Sequence, residues 1–190
     1  MHIGLFFGSF NPIHTGHLII ASSAVAHTDL DKVWFVLSPH NPLKESHSLL
    51  NEYDRLHLLQ LATEDNPKFK ASNVEFTLPR PSFTIDTLAY LQEKFPYERF
   101  SIIMGSDSFS NLPRWKNWEQ LLQRAGFIVY LRPGFEMKEL PGARATVLQT
   151  PMLDISATYI RTQVRAGHSI RYLTPDAVAT HIEENGYYRK

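Results

Sequence analysis

The opening forty residues constrain the fold more than any other stretch of the chain. Ile3 to Phe7 is a short, continuous apolar run that stops at Gly8. A run of this kind bounded by glycine suits a strand buried on both faces, as in a parallel sheet covered by helices. A loop rich in Asn, Pro, His and Gly follows, and then the Ala/Leu/Ile stretch Leu18 to Ala26, which reads as a helix. Lys32 to Leu37 is a second apolar run, with Val, Trp, Phe, Val and Leu in succession. Strand, helix and strand in this span make a βαβ unit, and such a unit implies parallel pairing.

The alternation continues downstream. Tyr53 to Glu64 carries Leu56, Leu59 and Leu61 among polar positions, as an amphipathic helix does. Asn73 to Leu78 reads as a weaker strand, and Thr84 to Lys94 as a helix that stops before Phe95-Pro96. Phe100 to Met104 is a third strong strand ending in glycine, Trp118 to Arg124 a helix, and Phe127 to Leu131 a strand closed by Pro133-Gly134. Thr146 to Leu148 supplies one more short strand. Ser156 precedes a helix that Gly167 closes, and Thr174-Pro175 opens the last helix, with Thr as cap and Pro in the first turn. The stretches 40–52 and 105–117 read as long loops, which on an α/β scaffold commonly carry function. The expectation is one domain over 1–190: a Rossmann-like α/β fold with a doubly wound, mostly parallel sheet over 1–150 and a helical C-terminal part over 151–190.

Composition narrows the function classes. The 190 residues suffice for a core without staples, and the absence of cysteine excludes disulfides, thiolate nucleophiles and cysteine-bound metals. Nineteen basic residues balance nineteen acidic ones, which argues against a protein that coats nucleic acid. No apolar run approaches the ~20 residues that cross a bilayer. The chain runs from Met-His-Ile-Gly directly into a strand, so no signal peptide is expected. A cytoplasmic protein with no membrane partner is the expectation.

Ligands of open parallel sheets bind beyond the carboxyl ends of the strands. The first loop there is Gly8-Ser9-Phe10-Asn11-Pro12-Ile13-His14-Thr15-Gly16-His17. It is neither the Gly-x-Gly-x-x-Gly fingerprint nor a P-loop. It offers a glycine where backbone can approach a ligand, and two imidazoles three residues apart at a helix start, where free N–H groups favour anions. Two histidines could also hold a metal, but no third ligand stands at motif spacing, so no protein-held metal is expected. Farther on, Ser156 can cap a helix with Thr158 in its first turn and Arg161 on the same face, a set of donors suited to phosphate.

The ten residues Gly8 to His17 resemble the signature of the nucleotidyltransferase superfamily, in which His-x-Gly-His grips the triphosphate of ATP or CTP. Phe7 stands where many members have a further glycine. Asp154-Ile155-Ser156-Ala157-Thr158-Tyr159-Ile160-Arg161 is similar to that superfamily's second phosphate motif. Three further segments resemble the nicotinate mononucleotide adenylyltransferases: Ser38-Pro39-His40-Asn41-Pro42-Leu43-Lys44, Ser82-Phe83-Thr84-Ile85-Asp86-Thr87-Leu88, and Met104-Gly105-Ser106-Asp107-Ser108 leading to Trp115.

The resemblance implies adenylyl transfer from ATP to nicotinate mononucleotide with release of pyrophosphate, magnesium arriving with ATP. It implies His14, His17, Lys44 and Arg161 as catalytic, and Gly8, Ser9, Phe10, His17, Gly105, Asp107, Ser156, Thr158 and Arg161 as ATP-binding. It further implies Ser9, Lys44, Phe83, Thr84 and Trp115 as binding the mononucleotide, with Trp115 stacked on the pyridine ring. Phosphopantetheine adenylyltransferase is the alternative with the same chemistry, and a non-catalytic nucleotide sensor the alternative without it. A homo-oligomer stays open.

Overall fold

The computed structural model describes residues 1–39, 49–132, 134, 137–151 and 154–189. In chain order the elements are β1 (His2–Gly8), α1 (Thr15–His27), β2 (Lys32–Leu37), α2 (Glu52–Leu61), β3 (Phe69–Ser72), α3 (Thr84–Lys94) and β4 (Arg99–Gly105). They continue with α4 (Ser106–Ser110), α5 (Trp118–Arg124), β5 (Gly126–Tyr130), β6 (Ala145–Leu148), α6 (Ala157–Arg165) and α7 (Asp176–Glu184). The six strands form one sheet in the order β3-β2-β1-β4-β5-β6, and every pairing is parallel. This is the doubly wound arrangement expected from the sequence.

Alternation along the strands assigns the two faces of the sheet. Phe6, Val33, Phe35 and Ile128 point into a cluster closed by Ala21 and Ala24 of α1, Leu58 and Leu59 of α2, Ile160 of α6, and Val178 and Ile182 of α7. Ile3, Leu5, Trp34, Val36, Ile102 and Met104 point the other way, against Ile85, Leu88 and Leu91 of α3 and Leu121 and Leu122 of α5. The C-terminal helices therefore complete one face of the main core. Among the described residues no helix is long and apolar enough to cross a membrane.

Three local expectations are corrected. The strand expected at Asn73–Leu78 lies earlier, at Phe69–Ser72, where Val33–Val36 of β2 pair with it. Val74–Thr77 is a 3-10 turn that carries Glu75 inward, where Ser82 and Thr87 hydroxyls donate to its carboxyl. Thr174 does not cap α7: Pro175 is the capping residue, and the Thr174 hydroxyl is buried without a partner. The stretch 105–117 is no open loop, since it contains α4 and a 3-10 turn over Leu112–Arg114. Ser156 does cap its helix, accepting the Tyr159 N–H at 3.2 Å.

One charged side chain lies wholly inside. Arg55 follows the inward stripe of α2, four residues before Leu59 and three before Leu58, and is 0% exposed. Among the described residues no carboxylate pairs with it; its guanidinium donates to four carbonyls. Nε reaches Leu50 O at 2.8 Å, one terminal nitrogen reaches Ser9 O at 2.7 Å and Ser38 O at 2.9 Å, and the other reaches Pro39 O at 2.8 Å. Burial pulls its pKa down, while Tyr188 and Glu52 oppose that shift. The loops leaving β1 and β2 and the start of α2 are thereby tied to one planar group.

Arg55→Leu leaves those carbonyls buried and unpaired. It should lower the unfolding free energy by about 3 kcal/mol or more in urea titration, with Arg55→Lys in between. A loss below about 1 kcal/mol for the leucine variant would contradict this bonding role.

Candidate active site

From β1 the chain winds outward through β2 and β3, then returns to the opposite side of β1 at β4 and continues to β6. Winding reverses between β1 and β4, and in open parallel sheets ligands bind beyond the strand ends at such a point. Gly8 ends β1 and Gly105 ends β4, so two of the expected motifs start at this point.

The loop after β1 folds back on itself. Phe10 adopts φ +42°, and its ring packs beneath Gly8, where a Cβ would come within 2.9 Å of it. That ring is buried edge-on against Phe6, Phe35 and His17, which leaves only the Phe10 backbone to meet a ligand. His14 occupies the cap position of α1, and His17 lies one turn on. Their rings stack with centroids 3.6 Å apart. Gly16 makes this possible, since a Cβ there would stand 3.1 Å from His14 Nδ1. The His14 backbone N–H donates to His17 Nδ1 at 3.3 Å, which makes Nδ1 the acceptor and leaves the proton of neutral His17 on Nε2. His14 Nδ1 is buried with no partner. Burial, with the Arg132 charge in support, lowers the His14 pKa to about 4. Burial also holds His17 well below its ordinary value, with His14 and Arg132 adding to the effect.

The start of α6 packs against this loop. Arg161 donates to Asn11 O at 2.8 Å and to Thr158 Oγ1 at 3.3 Å, and its Nε is buried without a partner. The Ile155 side chain lies 3.9 Å from the position of a Gly16 Cβ, so the segments 8–17 and 154–161 are direct neighbours. Asn11 ties the arrangement together: its Oδ1 accepts from the Tyr188 hydroxyl at 2.8 Å and from the Leu50 N–H at 3.2 Å. Burial pushes the Tyr188 phenol pKa up, against the charges of Arg55 and Arg161.

On the β4 side, Asp107 folds back over Gly105, where a Cβ would lie 2.5 Å from Asp107 Oδ1 and 3.2 Å from Arg132 Nε. Asp107 Oδ2 pairs with Arg132 at 3.3 Å, and Oδ1 is buried with no partner. The Arg132 backbone N–H donates to Ser106 Oγ at 3.0 Å. Arg132, next to the end of β5, acts electrostatically on both histidines and was not among the residues expected from sequence. Its position at a strand's carboxyl end, one residue before Pro133-Gly134, is the signal that points to it.

Phe83, Thr84 and Trp115 form a separate group. Phe83 is the cap residue of α3 and Thr84 its first residue. Phe83 and Trp115 both pack, half-buried, against the second core cluster. Lys116 joins them: its ammonium lies 4.7 Å from the Phe83 ring centre and 2.8 Å from Asp86. No hydrogen bond or ring contact among the described residues links this group to the histidines. Lys44 lies outside the described residues. Among the described residues no cluster of three or more His, Asp or Glu is arranged to hold a metal ion.

The family model described as cytidylyltransferase-like matches residues 5–163. The probable nicotinate-nucleotide adenylyltransferase of Flavobacterium psychrophilum is 46% identical over 193 aligned positions, covering 100% of both chains. That of Cytophaga hutchinsonii is 48% identical, covering 99% of this chain and 98% of its own. Among solved structures, Plasmodium falciparum nicotinic acid mononucleotide adenylyltransferase complexed with NaAD superposes with a TM-score of 0.81 over 98% of this chain and 97% of its own, at 19% identity. That structural likeness speaks for the fold. The end-to-end identity speaks for descent, and on it the chain belongs to the nicotinate-nucleotide adenylyltransferase family.

Proposed function

We propose that this chain transfers the adenylyl group of ATP to nicotinate mononucleotide, releasing pyrophosphate and forming nicotinate adenine dinucleotide, as a cytoplasmic enzyme of NAD biosynthesis. One observation carries the reading. The stacked His14–His17 pair and the capped start of α6 with Arg161 meet at the sheet's reversal point. Family membership supports the choice of acceptor.

The acceptor phosphate is ionised at neutral pH, so no general base is needed for its in-line attack on the α-phosphorus. Catalysis then consists of holding two anions together and neutralising charge on the bridging and leaving oxygens. His17 Nε2–H and His14 donate to the triphosphate, beside the Gly8–Phe10 backbone. The Ser156 and Thr158 hydroxyls, the free N–H groups of α6 and the Arg161 guanidinium take the departing pyrophosphate. Lys44, on its sequence context, adds a mobile charge at the phosphates. Gly105 and Asp107 face the adenylyl ribose. Ser9, the Thr84 N–H and the flat face of Trp115 serve the mononucleotide. Magnesium enters as part of the ATP substrate, with phosphate and water oxygens as its ligands.

Removing the His17 imidazole with His17→Ala should reduce pyrophosphate release by about 10²-fold or more while the circular dichroism spectrum is retained. Turnover near that of the unaltered protein would sink the assignment of His17. The neutral imidazoles also leave a stability signature. In the unfolded chain both protonate near 6.5, whereas folded His14 resists until about pH 4 and burial holds folded His17 well below its ordinary value. The unfolded state therefore binds more protons in this window, and stability falls as pH drops from 6.5 towards 4, by up to about 1.4 kcal/mol per pH unit for each histidine. Urea unfolding at pH 7, 6 and 5 should show a steeper decline for the unaltered protein than for a His14→Asn/His17→Asn double variant. Equal slopes would contradict the burial of neutral rings.

A further inference from the structure

Glu75 has no place in the transfer chemistry, yet it is 2% exposed and meets three hydroxyl groups. Ser82 Oγ donates to Oε2 at 2.8 Å and Thr87 Oγ1 donates to Oε1 at 2.9 Å. The Ser38 side chain supplies a third hydrogen bond. The two donors of known length bracket one helix end: Ser82 lies immediately before the cap residue Phe83, and Thr87 lies in the first turn of α3. Ser38 lies just beyond the end of β2, and its own carbonyl is held by Arg55 at 2.9 Å.

What Glu75 grips is therefore the orientation of the α3 N-terminus. In that turn the Asp86 and Thr87 N–H groups already donate to Phe83 O, at 2.9 and 3.1 Å. The Thr84 and Ile85 N–H groups precede the first intrahelical bond and point their donors out of the helix end. A ligand carboxylate would read those two donors, whereas an uncharged amide would gain much less from them. Direction matters here, because a hydrogen bond weakens steeply as its angle closes. Among the described residues no lysine or arginine meets the Glu75 carboxyl. Burial pushes its pKa up, against the pull of the three hydroxyl bonds.

We infer that Glu75 is a positioning residue for acid recognition: by holding Ser82 and Thr87 it aims the first turn of α3 at the pyridine carboxylate, and so sets the preference for nicotinate over nicotinamide mononucleotide. This rests on the functional reading above. It assigns the selectivity to a side chain that need not touch the substrate, behind a helix end that does.

The test is steady-state pyrophosphate release by the full chain with nicotinate mononucleotide, nicotinamide mononucleotide and ATP each varied in turn. Unaltered protein, Glu75→Ala, Glu75→Gln and Thr87→Val are compared. Glu75→Ala should raise KM for nicotinate mononucleotide by about tenfold or more and reduce the acid-to-amide ratio of kcat/KM by a similar factor, with KM for ATP within about twofold. Glu75→Gln keeps the volume and one acceptor oxygen, with one hydroxyl turning to accept from the amide NH2, and should restore most of the ratio. Thr87→Val removes one bond without a cavity, and it covers the case in which the alanine variant does not fold; it should lower the ratio by a few fold. Equal rises in KM for ATP and mononucleotide, or an unchanged ratio in both Glu75→Ala and Thr87→Val, would overturn the inference and leave the reaction standing. Silence of the unaltered protein with nicotinate mononucleotide would instead overturn the functional reading and this inference with it.

Discussion

The candidate site depends on a buried guanidinium that, among the described residues, pairs with no acid. Arg55 spends its donors on carbonyls of Ser9, Ser38, Pro39 and Leu50, which belong to three separate chain segments. Carbonyls at strand ends would otherwise be buried without partners, and a planar fork with five donors can serve several at once where an ammonium cannot. Asn11 repeats the device one step outward. Its side chain joins Leu50 and Tyr188, and its carbonyl receives Arg161 from 150 residues away. The loop after β1 and the start of α6 thus meet through the Arg161 guanidinium on a main-chain carbonyl, and among the described residues no carboxylate pairs with Arg161.

That economy of acids shapes the electrostatics. The stacked imidazoles are desolvated and neutral in the free protein, and among the described residues Arg132 and Arg161 bring positive charge nearby. Among the described residues Arg132 is countered directly, by Asp107 at 3.3 Å, and Arg161 pairs with no carboxylate. Donors held in a dry, fixed frame stabilise developing negative charge without reorganising, which is where most of the rate enhancement of such a transfer must come from. The frame has a cost in the free protein: unpartnered buried atoms at His14 Nδ1, Asp107 Oδ1 and Arg161 Nε cluster in this one region.

Much of this was legible in the chain itself. Unbroken apolar runs ending at Gly8 and Gly105 announced parallel strands and placed their loops at the ligand end of the sheet. Ser156 announced a capped helix because a serine cap is a local interaction. What escaped was non-local. The edge strand Phe69–Ser72 carries Lys70, whose ammonium stacks 4.0 Å from the Trp34 ring, so its apolar pattern was weak and the neighbouring Val74–Thr77 segment looked the better strand. Thr174 and Pro175 showed the right residue types for a helix start, but the cap falls on Pro175 and the Thr174 hydroxyl is buried without a partner. Helix α4 is too short to show a period. Arg55 and Glu75 stood at inward positions of their elements, yet their partners are main-chain carbonyls and distant hydroxyls that no spacing rule reveals. Arg132 carried only a positional hint, at the end of a strand.

The most direct measurement is pyrophosphate release from MgATP with nicotinate mononucleotide and phosphopantetheine offered in parallel, the dinucleotide product being identified by mass. The site described here predicts strong release and a nicotinate adenine dinucleotide product with the first acceptor, and background release with the second. Preferred turnover of phosphopantetheine, or ATP binding without release in either case, would contradict it.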